Sequence, residues 1–152
     1  MVQPEETLTT ALRLQPSTKH VVVVGGVGTY DRHLEDIVKQ SLRNYESRLE
    51  ITYLTDLDMP TLLRRLGQLP SNTIVLYTSI FQDAAGRHFI DANQSSPVVI
   101  DASNAPVFVL FDVNFGTGRS GETPLALPQM ARLPDTWHLE FWMGNSHRVF
   151  LL

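Results

Sequence analysis

Short apolar runs alternate along the chain with segments whose apolar residues recur at helical spacing. The runs VVVV (21–24), TIVLYTS (73–79) and PVFVLFD (106–112) are continuous and rich in β-branched residues. Such runs are typical of strands buried on both faces of a parallel sheet. RLEITYLT (48–55) instead alternates apolar and polar residues, which predicts a strand with one face better buried than the other.

Helical spacing appears between these strands. Leu34, Ile37, Val38 and Leu42 share one face of a predicted helix, with Thr29 or Asp31 available as its cap. A second helix is predicted from Asp58, as cap, to the stop at Pro70. Between the last two strands the pattern is mixed and interrupted by Pro97, so it predicts a loop and a short helix around PVVIDASN (97–104).

The resulting order is helix, β, α, β, α, β, a loop with a short helix, and β. Strands alternating with helices predict an α/β fold, a three-layer sandwich on a mostly parallel sheet with Rossmann-like, right-handed βαβ units. We assign residues 1–118 to this domain and 119–152 to an atypical C-terminal tail. In the tail, WHLEFWM (137–143) and HRVFLL (147–152) are each consistent with an edge strand, and a loosely docked tail is the alternative.

Composition narrows the class of protein. The chain has 152 residues, of which 43% are hydrophobic and 18% charged, as in ordinary soluble domains. Its net charge of -4, without a basic stripe, disfavours nucleic acid as a partner. The absence of cysteine excludes disulfides, thiolate metal sites and a cysteine nucleophile. We expect no membrane contact and, because the N-terminus lacks a secretory signal pattern, a cytoplasmic location for the chain as written.

Glycine-rich loops after a first strand often bind nucleotides, so the glycines here are compared with the two known motifs. In GGVGTYD (25–31), a frame that begins at Gly26 and Gly28 places Asp31 where the dinucleotide fingerprint G-x-G-x-x-G has its third glycine. The phosphate loop G-x-x-x-x-G-K-[ST] also fails, because no lysine follows the glycines. We therefore expect no nucleotide cofactor and interpret the glycines as a tight turn.

Ligands of open α/β sheets bind at the carboxyl ends of the strands. Here those ends lead into GGVGTYD, TDLD (55–58), SIFQDAAG (79–86) and DVNFG (112–116). Asp83 has two interpretations: it contacts a ligand, or it caps a turn in which Gly86 supplies a positive φ. The candidate ligand contacts are Gly26, Thr29, Tyr30, Phe81, Gln82, Asp83, Asp112 and Asn114.

Catalytic and metal-binding motifs are missing from the sequence. The five histidines show no metal-ligand spacing, and no G-x-S-x-G nucleophile elbow occurs. We predict no catalytic residue, no metal and no enzyme activity.

Three segments taken together resemble a known family, over about residues 5–118. They are LRLQPSTKHVVVVGG, LEITYLTDLDMPTLLRRLGQLPSNTIVLYTSIFQDAAGRHF and APVFVLFD. The chain resembles the extracytoplasmic ligand-binding domain of some bacterial sensor histidine kinases, which is similar to ABC-transporter substrate-binding proteins of the periplasmic type. The resemblance implies most of the second lobe of a type I periplasmic-binding-protein fold. It also implies a ligand cleft beside Gly26, Thr29, Tyr30, Phe81, Asp83 and Asp112.

After about Gly118 the return helix of the resembled family is replaced by a proline-rich segment, which favours a truncated copy with a change of reading frame. The expected function is non-catalytic binding of a small molecule, derived from a sensory or transport system. One alternative is a cytoplasmic Rossmann-like nucleotide-binding enzyme. The other is a regulatory domain that buries an exposed lobe face against a partner or a second copy.

Overall fold

The computed structural model describes residues 4–89, 92–110, 140–143 and 147–151. Within these ranges helices and strands alternate along most of the chain, as the apolar pattern predicts. The helices are α1 (Pro4–Leu14), α2 (Thr29–Leu42), α3 (Met59–Leu66) and α4 (Ala92–Ala102), with a 3₁₀ turn at Arg43–Tyr45. The strands are β1 (His20–Val24), β2 (Glu50–Leu54), β3 (Thr73–Tyr77), β4 (Val107–Val109), β5 (Glu140–Met143) and β6 (His147–Leu151).

The strands form one sheet in the order β2-β1-β3-β4-β6-β5. β1 pairs in parallel with both β2 and β3, and β3 pairs in parallel with β4. β6 continues the parallel order beside β4, and β5 is antiparallel to β6. The predicted α/β class with a mostly parallel sheet is confirmed.

Helices cover both faces of the sheet because successive strand residues point to opposite sides. Val22 and Val24 of β1 pack with Leu62 and Leu66 of α3 and with Val99 of α4. On the other face, Val21 and Val23 join a second apolar cluster. That cluster includes Leu8 and Ala11 of α1 and Leu34, Val38 and Leu42 of α2.

β2 shows the predicted alternation. Glu50 and Thr52 are exposed, while Ile51 and Tyr53 are partly buried against the second cluster. The reason is that successive side chains of a strand point to opposite faces of the sheet, and Ile51 and Tyr53 point to the face that packs on the second cluster.

Two helix boundaries differ from the predictions. α4 begins at Ala92, before the expected stretch 97–104, and Pro97 lies inside it. Burial of Val99 and Ile100 in the first core favours the helix despite the proline, since packing contributes more to helix stability than propensity does. α3 ends at Leu66 and is capped by Gly67, and Leu69 packs on the core from outside the helix.

Two segments of the tail are strands, at 140–143 and 147–151. β5 lies at the edge, as expected for 137–143, but β6 lies between β4 and β5. Among the described residues, no helix has the length and hydropathy needed to cross a membrane.

Candidate functional site

The candidate site lies where the loops after β1 and β3 run side by side at the carboxyl edge of the sheet. From β1 the chain moves to β2 on one side, while β3 lies on the other side of β1. In open α/β sheets, such a reversal of strand order opens the crevice in which ligands bind. Here the two loops are joined by hydrogen bonds from Gly26 N–H to the Ser79 carbonyl and from Val27 N–H to the Gln82 carbonyl, each 2.8 Å.

An aromatic pair connects the start of α2 with the loop after β3. Tyr30, in the first turn of α2, is 45% exposed and contacts Phe81 edge-to-face, with ring centroids 5.6 Å apart. Thr29 is exposed beside Tyr30, and Gln82 is half-buried beside Phe81. The fold therefore brings together four predicted contact residues from two segments, the first turn of α2 and the loop after β3, about fifty positions apart in the sequence.

The carboxylate of Asp31, the residue after Tyr30, is 0% exposed. Its Oδ2 accepts hydrogen bonds from the backbone N–H groups of Phe81 (3.0 Å), Gln82 (3.2 Å) and Gly28 (3.1 Å). Its Oδ1 accepts hydrogen bonds from the Ser79 hydroxyl and, at 3.2 Å, from the same Phe81 N–H. The carboxylate thus joins the start of α2 to the loop after β3.

The tight glycine turn is required by this internal carboxylate. A Cβ at Gly26 would lie 2.3 Å from Oδ2 of Asp31 and 2.5 Å from the carbonyl oxygen of Gln82. A Cβ at Gly25 would lie 2.7 Å from the hydroxyl oxygen of Thr78. The groups that approach the glycine backbone are therefore the protein's own.

Asp83 is 2% exposed and its carboxylate also accepts backbone hydrogen bonds. Oδ1 accepts hydrogen bonds from the N–H groups of Ala85 (3.1 Å) and Arg87 (2.9 Å), and Oδ2 accepts one from the N–H of Met59 (2.9 Å). Gly86 has a φ of +83°, which glycine adopts without strain. These contacts are those of the turn-capping interpretation, and they also dock the turn on the start of α3.

The helix caps differ in detail from the expectations. α2 has Gly28 as its N-cap, and Asp31 caps it by accepting the Gly28 N–H rather than by occupying the cap position. Asp58 is the N-cap of α3, as predicted, but its side chain makes no capping bond. Asp83, from another loop, accepts the Met59 N–H at that helix end.

A second buried carboxylate lies one turn further along α2. The side chain of Glu35 is 4% exposed and contacts Lys39 (2.6 Å), Arg32 (2.9 Å) and the Thr55 hydroxyl (2.9 Å). Arg32 also pairs with Asp56 after β2. Burial opposes ionisation of Glu35, but the hydrogen bonds from Lys39, Arg32 and Thr55 outweigh it, so the pKa of Glu35 is lowered.

Asp112 and Asn114 lie outside the described residues, so their roles stay predictions. Within the described ranges, no group of three or more histidine, aspartate or glutamate side chains is arranged to hold a metal ion.

The carboxylates at the starts of α2 and α3 affect which ligands the site can accept. Backbone N–H groups at helix N-termini normally attract anions such as phosphate. Here Asp31 and Asp83 already accept N–H groups at the starts of α2 and α3. A phosphate would meet two buried carboxylates there, so the arrangement favours a ligand without a negative charge at this point.

Asp31 is the residue that the sequence analysis considered only as a helix cap. An acidic residue three positions after Gly28 and before an apolar helical face is a recognisable capping signal. Its further partners, Ser79, Phe81 and Gln82, are distant in sequence and give no local signal.

Comparisons with protein-family models, with curated proteins and with solved structures found no match to this chain.

Proposed function

We propose that this chain is a non-catalytic, small-molecule-binding lobe of the periplasmic-binding-protein type. The observation that carries the proposal is the Tyr30–Phe81 pair, which joins the first turn of α2 to the loop after β3 at the reversal of strand order. A solvent-exposed aromatic contact at the carboxyl edge of a parallel sheet is the kind of wall that small-molecule sites use.

The ligand contacts in this proposal are Thr29, Tyr30, Phe81 and Gln82. The two rings supply an apolar surface, and the Thr29 hydroxyl and Gln82 amide supply polar groups beside it. Gly26 and Asp83 support the loops, because their close neighbours are other atoms of the protein. This division assigns binding to exposed and half-buried groups and positioning to buried ones.

The buried carboxylates bear on the class of ligand. Because Asp31 accepts the Gly28 N–H and Asp83 accepts the Met59 N–H, a carboxylate already lies at the start of each helix, and the proposal favours a neutral or cationic molecule with an apolar or aromatic group. Nucleotide binding, the main alternative, would require a phosphate site elsewhere on the chain.

A thermal-shift screen tests the proposal. The probes are ATP and NAD for nucleotides, the twenty amino acids, and the aromatic amines tyramine and tryptamine. We expect stabilisation by at least one amine or amino acid and none by ATP or NAD. Stabilisation by nucleotides alone would support the enzyme alternative, and no response to any probe would favour a domain that binds another macromolecule.

A pair of variants then assigns the response to the site. Tyr30→Ala removes an exposed ring, so we expect it to leave the melting temperature nearly unchanged while weakening probe binding about tenfold. His33→Ala is the matched control, because His33 is also exposed on α2 but lies one turn further from the loops. Equal binding by both variants would show that the probe binds elsewhere.

A further inference from the structure

Two buried aspartates support the loops around the proposed site, and they act on different backbone groups. Asp31 accepts N–H groups of Gly28, Phe81 and Gln82. The N–H groups that Asp83 accepts belong to Met59, Ala85 and Arg87. The two sets share no member, so their effects on the loops are separable by experiment.

Asp31 is connected to both aromatic rings. Tyr30 precedes it in the chain, and the N–H of Phe81 donates to both oxygens of its carboxylate. The backbone bonds at Gly26 and Val27 join the loops earlier, before α2 begins. The carboxylate is thus the connection between the residue that follows Tyr30 and the backbone N–H of Phe81 itself.

The donors around Asp31 match the two acceptor oxygens of a carboxylate. All of its described partners are N–H or O–H donors, and none of those partners is a basic side chain. A carboxylate presents acceptor sites on both oxygens, whereas an asparagine would direct an NH₂ group at a donor. The space it occupies is left open by Gly26 and Gly28, where a Cβ would lie 2.3 Å and 3.0 Å from Oδ2.

We infer that Asp31 is the positioning residue of the site: its carboxylate sets the orientation of Phe81 against Tyr30 by joining the first turn of α2 to the loop after β3. The inference rests on the proposed function for the use of these rings in binding. It assigns Asp31 no contact with the ligand, because the carboxylate is buried and its oxygens are occupied by the protein's own donors.

The test compares Asp31→Asn with Asp83→Asn in the full chain, since each removes one acceptor oxygen from a buried set of N–H groups. The measurements are residue-specific amide hydrogen exchange and the NMR cross-relaxation between the Tyr30 and Phe81 rings. For Asp31→Asn we expect exchange at Phe81 and Gln82 to rise about tenfold, which corresponds to loss of one charge-assisted hydrogen bond. We also expect weaker cross-relaxation between the rings.

The matched variant gives the opposite pattern. Asp83→Asn should raise exchange at Ala85 and Arg87 by a similar factor and leave the ring contact in place. If Asp31→Asn leaves the ring cross-relaxation unchanged, or raises exchange at both sets of amides equally, the inference is wrong.

The wild-type protein supplies a measurement that does not depend on folding of a variant. The Phe81 and Gln82 amides should be protected from exchange although both residues are half-buried and lie in a loop. Free exchange at both would overturn the inference. Since no ligand is used, these outcomes are independent of the probe screen: absence of probe binding counts against the proposed function and not against the role of Asp31.

Discussion

Asp31 and Glu35 are buried carboxylates one turn apart on α2, and the protein stabilises them in different ways. Asp31 accepts hydrogen bonds from backbone N–H groups and one hydroxyl, most of them on another loop. Glu35 is contacted by Lys39 and Arg32, whose side chains are 48% and 41% exposed, and by Thr55. One carboxylate therefore orders the backbone, and the other neutralises charged side chains that reach it from the surface.

This difference predicts what the loss of each carboxylate does to the folded protein. Loss of Asp31 leaves donors unsatisfied on two segments of main chain, which cannot turn to face water without moving the loops. Loss of the Glu35 charge leaves Lys39 and Arg32 close to solvent, where water solvates them. The same residue type on the same helix thus has a structural role in one place and a mainly electrostatic one in the other.

The largest expected effect is that of Asp31→Ala. We expect it to lower the free energy of unfolding by about 3 kcal/mol, because several buried donors lose their acceptor together. Urea unfolding followed by circular dichroism measures this change. A loss smaller than that for Glu35→Gln would contradict the comparison.

Gly26→Ala should have the next largest effect, because the new Cβ would press on the carboxylate of Asp31 and the carbonyl of Gln82. Overpacking of this kind costs about 2 kcal/mol. Gly28→Ala is the matched control: its Cβ would have its nearest contact at 3.0 Å, so we expect a smaller loss in the same urea experiment. The reverse order would show that the glycine turn is not constrained by Asp31.

Glu35→Gln should lower stability at neutral pH by about 1 kcal/mol, the net value of a hydrogen-bonded charge contact near the surface. Because folding lowers the pKa of Glu35, its contribution is present above the unfolded value of about 4.3 and is lost as the pH falls through the folded pKa. The stability difference between the wild type and the variant should therefore shrink as urea unfolding is repeated at progressively more acidic pH. A difference that does not depend on pH would refute this assignment.

Asp56→Asn should have the smallest effect. Asp56 pairs with Arg32, but its side chain is 76% exposed, and exposed ion pairs contribute less than about 1 kcal/mol. We expect a change near the error of the measurement, reduced further by added salt. A loss as large as that of Glu35→Gln would mean that Arg32 depends on both carboxylates for its position.

Much of the fold was predictable because its signals are local. The β-branched runs and the helical spacing of Leu34, Val38 and Leu42 predict β1, α2 and β3, and the structure has them at those places. The helix containing Pro97 was predicted to begin only at the proline, because a proline inside a helix removes a backbone hydrogen bond, whereas packing of Val99 and Ile100 on the core is a tertiary effect that favours the longer helix. The internal position of β6, between β4 and the edge strand β5, was missed, since sheet order depends on pairings between distant segments.

For the candidate site, the sequence predicted the loops but not how they are joined. Tyr30 and Phe81 were expected on one side of a cleft, and the fold brings their rings into contact. Asp83 was given two interpretations, and its bonds to Ala85 and Arg87 are those of the turn. Its third bond, to Met59, crosses to another loop and had no local signal.

The sequence by itself therefore determined the α/β class, the order of the main elements and the loops at the carboxyl edge, because hydrophobic period and turn chemistry act over a few residues. Only the tertiary structure decided that Asp31 is buried among N–H groups about fifty positions away, and that the glycines before α2 make room for it. The physical reason is that a buried carboxylate must find its donors wherever the fold places them, and those donors are backbone groups that every residue except proline carries.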